Sequence, residues 1–399
     1  MIEPFDIPGF TTADLEQLYD RLDHSTLPQE LTLEDTAAWT YGTPRRALEP
    51  LKDYWRHTFD WEPIRAKLNQ WHHYKWTNDL GVKLHFIHEP SRHPNAIPLV
   101  LLHGWPSTFY EFDKVIEPLR EGKGGSQPYH VIVPSLPGYG FSDPPTAPGF
   151  GITHMGDAMN ELMVTLGYSN YVAFGTDWGS VIVRYMGSKH HQHCSAIHCT
   201  LFSTMPPLPT LHNIWHHPTK VARFLLAGKV LGFDQVYGKD KFRTMGANFV
   251  DAASSEDAGY RAIQATRPSS LAYGLSDSPI GLLGWMLEKY HEWTDLGDDK
   301  QSALPPTISP DEFLTQVSIY WLTNTMSSSI RLYYEFFHQL KLLMANMDLQ
   351  VPMGISIFKN ELSRVPQEWI EMAVDLVYFA EHPVVSVCDH GRSRRFLRY

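Results

Sequence analysis

The chain has 399 residues and a formal net charge of −11, with 43% hydrophobic and 19% charged residues. That balance excludes a disordered or fibrous chain, and the length suits one large domain carrying an insertion, or two domains. The negative charge disfavours nucleic acid and anionic membrane surfaces as partners.

The first residues, MIEPFDIPGFTTADLEQLYDRL, carry acids early and no apolar h-region, so no signal peptide is expected. No stretch approaches the roughly 18 uncharged apolar residues of a membrane span. TTADLEQLYDRL offers a Thr N-cap and leucines at helical spacing, and residues 12–75 are mostly helical in pattern. Pro50 to Trp76, with Trp55, Phe59, Trp61 and Trp71 among charges, reads as amphipathic helix.

Near residue 82 the pattern changes. VKLHFIHE alternates like a strand, and IPLVLLHGW, YHVIVPSLPG, YVAFGTDWG and AIHCTLF are short apolar runs bounded by Gly or Pro and separated by helical stretches. Such runs suit buried parallel strands in a doubly wound sheet. From 205 to 345 the strand signal vanishes, and VARFLLAGKVL, LLGWMLEKYHEW and SIRLYYEFFHQL read as helices. Strands return at VPMGISIF and DLVYFAE, so the helical block reads as a cap inserted into a sheet domain. The expected organisation is an N-terminal helical segment (1–90), a first core part (91–204), a helical cap (205–345) and a second core part (346–399).

The chemistry centres on Phe174-Gly175-Thr176-Asp177-Trp178-Gly179-Ser180, placed between the strand YVAF and the helical stretch SVIVRYMGSKH. This is the Gly-x-nucleophile-x-Gly elbow of the α/β-hydrolase fold, with Asp177 in the nucleophile position. A carboxylate attacks an sp³ carbon without a base to activate it, giving an alkyl-enzyme ester. A His-activated water then hydrolyses the ester through an oxyanion. His103-Gly104-Trp105-Pro106 follows the strand IPLVLL, so the backbone N–H groups of Trp105 and Trp178 are the expected oxyanion hole.

With these elements the sequence resembles the microsomal-type epoxide hydrolases, including soluble fungal members. FDWEPIRAKLNQW, KLHFIHEPS, LLHGWPSTFYEF, SLPGYGFSDPP, GTDWGS, GYRAIQATRP, GLSDSPIGLLGWMLEKYHEWTD, YWLTNTMSSSIRLYYE and VPMGISIFKNEL carry the likeness, from about residue 3 to residue 382. The resemblance implies epoxide opening to a vicinal diol, with Asp177 as nucleophile. It implies that Tyr260 and Tyr333, the cap phenols, hydrogen-bond the epoxide oxygen and protonate the leaving alkoxide. It also implies that Glu361 orients the catalytic His, and that the N-terminal segment is a meander wrapping the cap.

At the C-terminus the sequence departs from that pattern. The family's Gly-Gly-His-Phe is absent, and after Glu381-His382-Pro383 the chain reads VVSVCDHGRSRRFLRY. The expected His falls near Val387; His390 is the nearest candidate base and His382 the runner-up. The Arg-rich tail suggests an altered C-terminus.

Three cysteines (Cys194, Cys199, Cys388) and no Asn-x-Ser/Thr sequon fit a reducing, cytoplasmic setting. The cluster KHHQHCSAIHC lacks the paired spacing of a zinc site, so neither metal nor cofactor is expected. The partner is a small-molecule epoxide, apolar in view of 13% aromatic residues, and specialised-metabolite tailoring follows by analogy with fungal relatives. The sequence leaves the oligomeric state open, a homodimer included. Rival readings are an epoxide-opening cyclase, a haloalkane dehalogenase, and a binding protein that kept the pocket without a competent His.

Overall fold

The computed structural model describes residues 1–34, 37–238, 258–344, 347–359 and 361–382. Nine strands form one sheet among these residues: β1 (Glu3–Pro4), β2 (His73–Thr77), β3 (Lys83–Glu89), β4 (Ile97–Leu102), β5 (Tyr129–Pro134), β6 (Tyr171–Gly175), β7 (Cys194–Cys199), β8 (Met353–Phe358) and β9 (Leu376–His382). Their order is β1-β2-β3-β5-β4-β6-β7-β8-β9. Pairing is antiparallel from β1 to β5 and parallel from β5 through β4 to β9.

Continuous apolar runs become the central strands because helices cover both faces of the parallel part. The last four residues of β4 and all six of β8 are buried. The covering helices include α4 (Asp113–Glu121), α5 (Ile152–Thr165) and α6 (Asp177–Lys189). Between β7 and β8, described residues 205–344 contribute helices and no strand. The α/β-hydrolase fold expected from the elbow is the fold observed.

The N-terminal segment differs from the expected run of helix. It forms α1 (Thr12–Asp23), α2 (Arg45–His57) and α3 (Trp61–Leu68), and then β2. Asp60 stops a single helix from running through: it is extended, and its carboxylate accepts the Glu62 N–H at 3.0 Å as the cap of α3. His73–Thr77 becomes a strand because β3 supplies a ladder for it, a long-range pairing that outweighs local pattern.

This segment is bound to the cap. Trp55, 1% exposed, meets Trp321 edge-to-face with centroids 6.5 Å apart. The Tyr54 hydroxyl donates to Asp311 at 2.9 Å, and the Thr43 hydroxyl donates to the Gly284 carbonyl at 2.8 Å. Arg21 pairs with Asp277. No helix of the described residues is long and apolar enough to cross a membrane.

Trp55→Ala removes the largest of these anchors and should cost about 3–5 kcal/mol. Chemical denaturation checks this, with one cooperative transition expected to shift as a whole. A small early transition beside an unchanged main one would show that the N-terminal segment melts independently.

Candidate active site

The elbow is built by steric necessity. β6 ends at Gly175, Thr176 is extended, and Asp177 opens α6 with φ = +44°, a left-handed conformation uncommon for a residue with a side chain. Two close approaches hold it there. A Cβ on Gly179 would lie 2.0 Å from the Leu102 carbonyl oxygen, and one on Gly175 would lie 2.2 Å from the Gly179 carbonyl oxygen. Thr176 is tied to β4 through its N–H, which donates to the Leu102 carbonyl at 3.0 Å.

The loop after β4 meets Asp177 from the other side. The Trp105 N–H donates to Asp177 Oδ1 at 2.8 Å, and the Trp178 backbone also hydrogen-bonds the carboxylate. Gly104 permits this approach, since a Cβ there would lie 2.1 Å from Asp177 Oδ1. His103 pins the loop: its Nδ1 donates to the Gly104 carbonyl at 3.0 Å and its Nε2 accepts from the Leu136 N–H at 3.1 Å. Burial pushes this imidazole down to about 4, so it stays neutral and serves structure.

Burial also dominates Asp177, raising its carboxyl to about 6 against the two backbone N–H donors that lower it. The start of α6 adds the favourable end of a helix dipole. At neutral pH the carboxylate is therefore ionised and poorly solvated, which suits a nucleophile.

Tyr260 and Tyr333 converge from the cap helices Gly259–Thr266 and Arg331–His338. Their ring centroids lie 5.8 Å apart and both rings pack on Trp105 at 5.7 Å, Tyr260 stacked and Tyr333 edge-on. Tyr333 also meets Trp178 at 4.8 Å. Its neighbour Tyr334 is 36% exposed against 3% for Tyr333, so helical phase selects Tyr333 for the site. Burial, with Tyr260, Asp177 and Tyr139 adding, holds the Tyr333 hydroxyl well above the usual phenol range, leaving a neutral donor.

Comparison with known proteins places this arrangement. Residues 2–112 match the family model "Epoxide hydrolase N terminus", and residues 97–272 match "alpha/beta hydrolase fold". The chain is 32% identical to epoxide hydrolase 1 of Sus scrofa over 390 residues, 93% of this chain and 81% of that protein. The chain belongs to the epoxide hydrolases. Its structure resembles that of the Aspergillus niger epoxide hydrolase (TM-score 0.77, 28% identity, covering 100% of this chain and 94% of that one). It also resembles the juvenile hormone epoxide hydrolase of Bombyx mori (TM-score 0.83, 28% identity, covering 98% and 91%).

The remaining expected residues of this epoxide hydrolase follow the cap in the chain. Glu361 is fully buried just beyond β8, its N–H donating to the Phe358 carbonyl at 3.1 Å. His390 lies outside the described residues. His382 closes β9, with its ring stacked on Phe358 at 5.1 Å, a place that serves the sheet edge. In the His/Cys cluster, His190 binds Asp157 at 2.7 Å, His193 binds the Ser169 carbonyl at 2.9 Å, and Cys194 and Cys199 are buried. Among the described residues, no group of three or more His, Cys, Asp or Glu is placed to hold a metal ion.

Two features escape sequence reasoning. Glu111 is buried beside the elbow, close to Ser107 and Thr176, which counter part of the effect of its burial. Burial, reinforced by the charge of Asp177, raises it to about 8, so at pH 7 it is mostly neutral and the site keeps one negative charge. Gln316 links the cap to the same loop, accepting from the Thr108 hydroxyl at 2.6 Å and donating to the Ser107 hydroxyl at 3.2 Å. Tyr320 adds a bond to the Ser107 carbonyl at 2.9 Å. The only sequence signal for Glu111 was its place inside LLHGWPSTFYEF.

Asp177 titrates near 6 when folded against 3.8 for its ordinary value. The folded state therefore favours the protonated acid, and that contribution is fully present below the unfolded value and lost as pH rises through the folded one. Asp177→Asn should consequently stabilise the fold by on the order of 2–3 kcal/mol at about pH 8 and by little at about pH 3.5. Denaturation of both proteins across that range reads the difference; a gain independent of pH would refute the buried-charge account.

Proposed function

We propose that this epoxide hydrolase opens an apolar epoxide through an Asp177 ester and releases a vicinal diol. The observation that carries this reading is the buried, hydrogen-bonded carboxylate of Asp177 on its strained elbow, with Tyr260 and Tyr333 converging on Trp105 beside it. Asp177 attacks one epoxide carbon, the C–O bond breaks, and a cap phenol gives its proton to the departing oxygen. Water then attacks the ester carbonyl, and the N–H groups of Trp105 and Trp178 receive the developing oxyanion.

Glu361 fits the role of the acid that orients the base, being buried at the end of β8 and following the nucleophile in chain order. His390, assigned by sequence alone, completes the set. The aromatic surroundings of Tyr260 and Tyr333, which include Trp105, Trp178, Trp293 and Phe336, favour an apolar substrate. The paired phenols favour an epoxide over a haloalkane, because a departing alkoxide needs a proton and a departing halide does not. A cytoplasmic setting and a role in tailoring a specialised metabolite complete the reading; cysteine usage and fungal likeness support them.

Incubation with styrene oxide, followed by intact mass and product analysis, tests the scheme. The parent should release 1-phenylethane-1,2-diol. Asp177→Asn should form no adduct, and an adduct in that variant would overturn the nucleophile assignment. His390→Ala should accumulate the ester, with turnover reduced by at least about 100-fold; parent-rate turnover would remove His390 from the mechanism. A cyclic ether formed from a hydroxyl-bearing epoxide would reassign the chain as a cyclase.

A further inference from the structure

Lys289 occupies a place unusual for a lysine. It lies on the cap helix Pro279–Trp293, its side chain is only 4% exposed, and its ammonium sits 4.5 Å from the ring centroid of Tyr260. Trp285 and Trp293 flank it at 5.5 and 5.7 Å, and Glu288 pairs with it from the solvent side. A buried charge is costly unless something offsets it. Cation–π attraction to three rings offsets part of that cost in the resting enzyme. The two helices are locked in register by the Trp285 indole N–H, which donates to Gln264 at 3.2 Å, one turn along from Tyr260.

The reaction gives this cation a task. When Asp177 attacks, its negative charge is consumed in the ester bond. The electron pair of the broken C–O bond goes to the epoxide oxygen, a phenol supplies the proton, and the phenolate is left holding the charge. That phenolate later regains a proton from water. The two phenols are not equivalent in this respect. Tyr333 faces Trp178, Tyr260 and the Asp177 carboxylate, whereas Tyr260 faces Lys289 on one side and Trp105, Trp293 and Tyr333 on the others.

We propose that Lys289 is a positioning residue for ring opening: its ammonium on the face of Tyr260 stabilises the charge this phenol acquires, making Tyr260 the proton donor and Tyr333 the hydrogen-bonding partner. The inference rests on the assignment of the cap tyrosines made under the proposed function. Among the described residues, titratable and charged groups facing this pair include Tyr333, Asp177 beyond it, and Glu288 on the outer side of Lys289.

Single-turnover ester formation with styrene oxide, enzyme in excess, isolates the step. Lys289→Met should slow it by at least roughly tenfold and move the alkaline limb of its pH profile upward, since Tyr260 becomes a weaker acid. Lys289→Arg should restore the rate to within about threefold. In a Tyr260→Phe background the same Met substitution should have little further effect, because the group it acts through is gone. Lys289→Gln, a second neutral variant, should match Met, and melting curves confirm that each protein is folded. Parent-like rate and pH limb in a folded neutral variant, or losses that simply multiply with Tyr260→Phe, would overturn the role of Lys289. If Tyr260→Phe alone forms ester at the parent rate, the assignment of Tyr260 as acid fails first, and the proposal with it.

Discussion

The site depends on one unfavourable condition, an ionised carboxylate held away from water. Asp177 is buried on an elbow that α6, β4 and the loop after β4 jointly enforce, and burial raises its carboxyl to about 6. Under the proposed scheme, the attack of Asp177 on carbon would relieve this desolvated charge. Two backbone N–H groups keep that charge tolerable, and they are the groups that serve the oxyanion in the second step of the proposed scheme. Glu111 fits the same constraint. A second ionised acid beside Asp177 would raise both, and burial keeps Glu111 protonated instead.

The elbow was legible in the sequence because its requirements are local. Glycines at 175 and 179 are forced because a Cβ there would lie 2.2 and 2.0 Å from neighbouring backbone oxygens, so no other residue fits without displacement. The core strands were legible for a similar reason, since a strand buried on both faces must be apolar throughout. The cap tyrosines came from family likeness rather than from spacing, and helical phase in the structure separates Tyr333 from Tyr334.

What sequence reasoning missed depends on partners far along the chain. A glutamate in a turn reads as solvated, yet Glu111 is enclosed by Thr176 of the elbow and by a loop that Gln316 reaches from the cap. Lys289 reads as the polar face of an amphipathic helix, and only the docking of the Tyr260 helix turns that face inward. β2 exists because β3 offers it a ladder, which overrides the helical pattern before it. Each case is a polar or ambiguous residue whose environment is set by tertiary contact, where local propensity carries little information.

The division between core and cap acquires a physical meaning from this. In the proposed scheme, the negative charge rests before ring opening on Asp177 in the core, where backbone N–H groups and the α6 dipole receive it. Afterwards it would rest on a phenol of the cap, with Lys289 on the face of Tyr260. Neither half can manage both states, so the two must be held in fixed register. The bonds from Gln316 and Tyr320 to the loop after β4 supply that register, together with the Tyr139 hydroxyl donating to the Ser329 carbonyl at 3.2 Å. Trp105 lies at the junction, giving its N–H to Asp177 and its ring to both phenols. A shift of the cap relative to the core would therefore separate Asp177 from the cap phenols that the proposed scheme pairs with it. The N-terminal segment, anchored to the cap through Trp55, Tyr54 and Thr43 and to the sheet through β2, opposes that shift from outside.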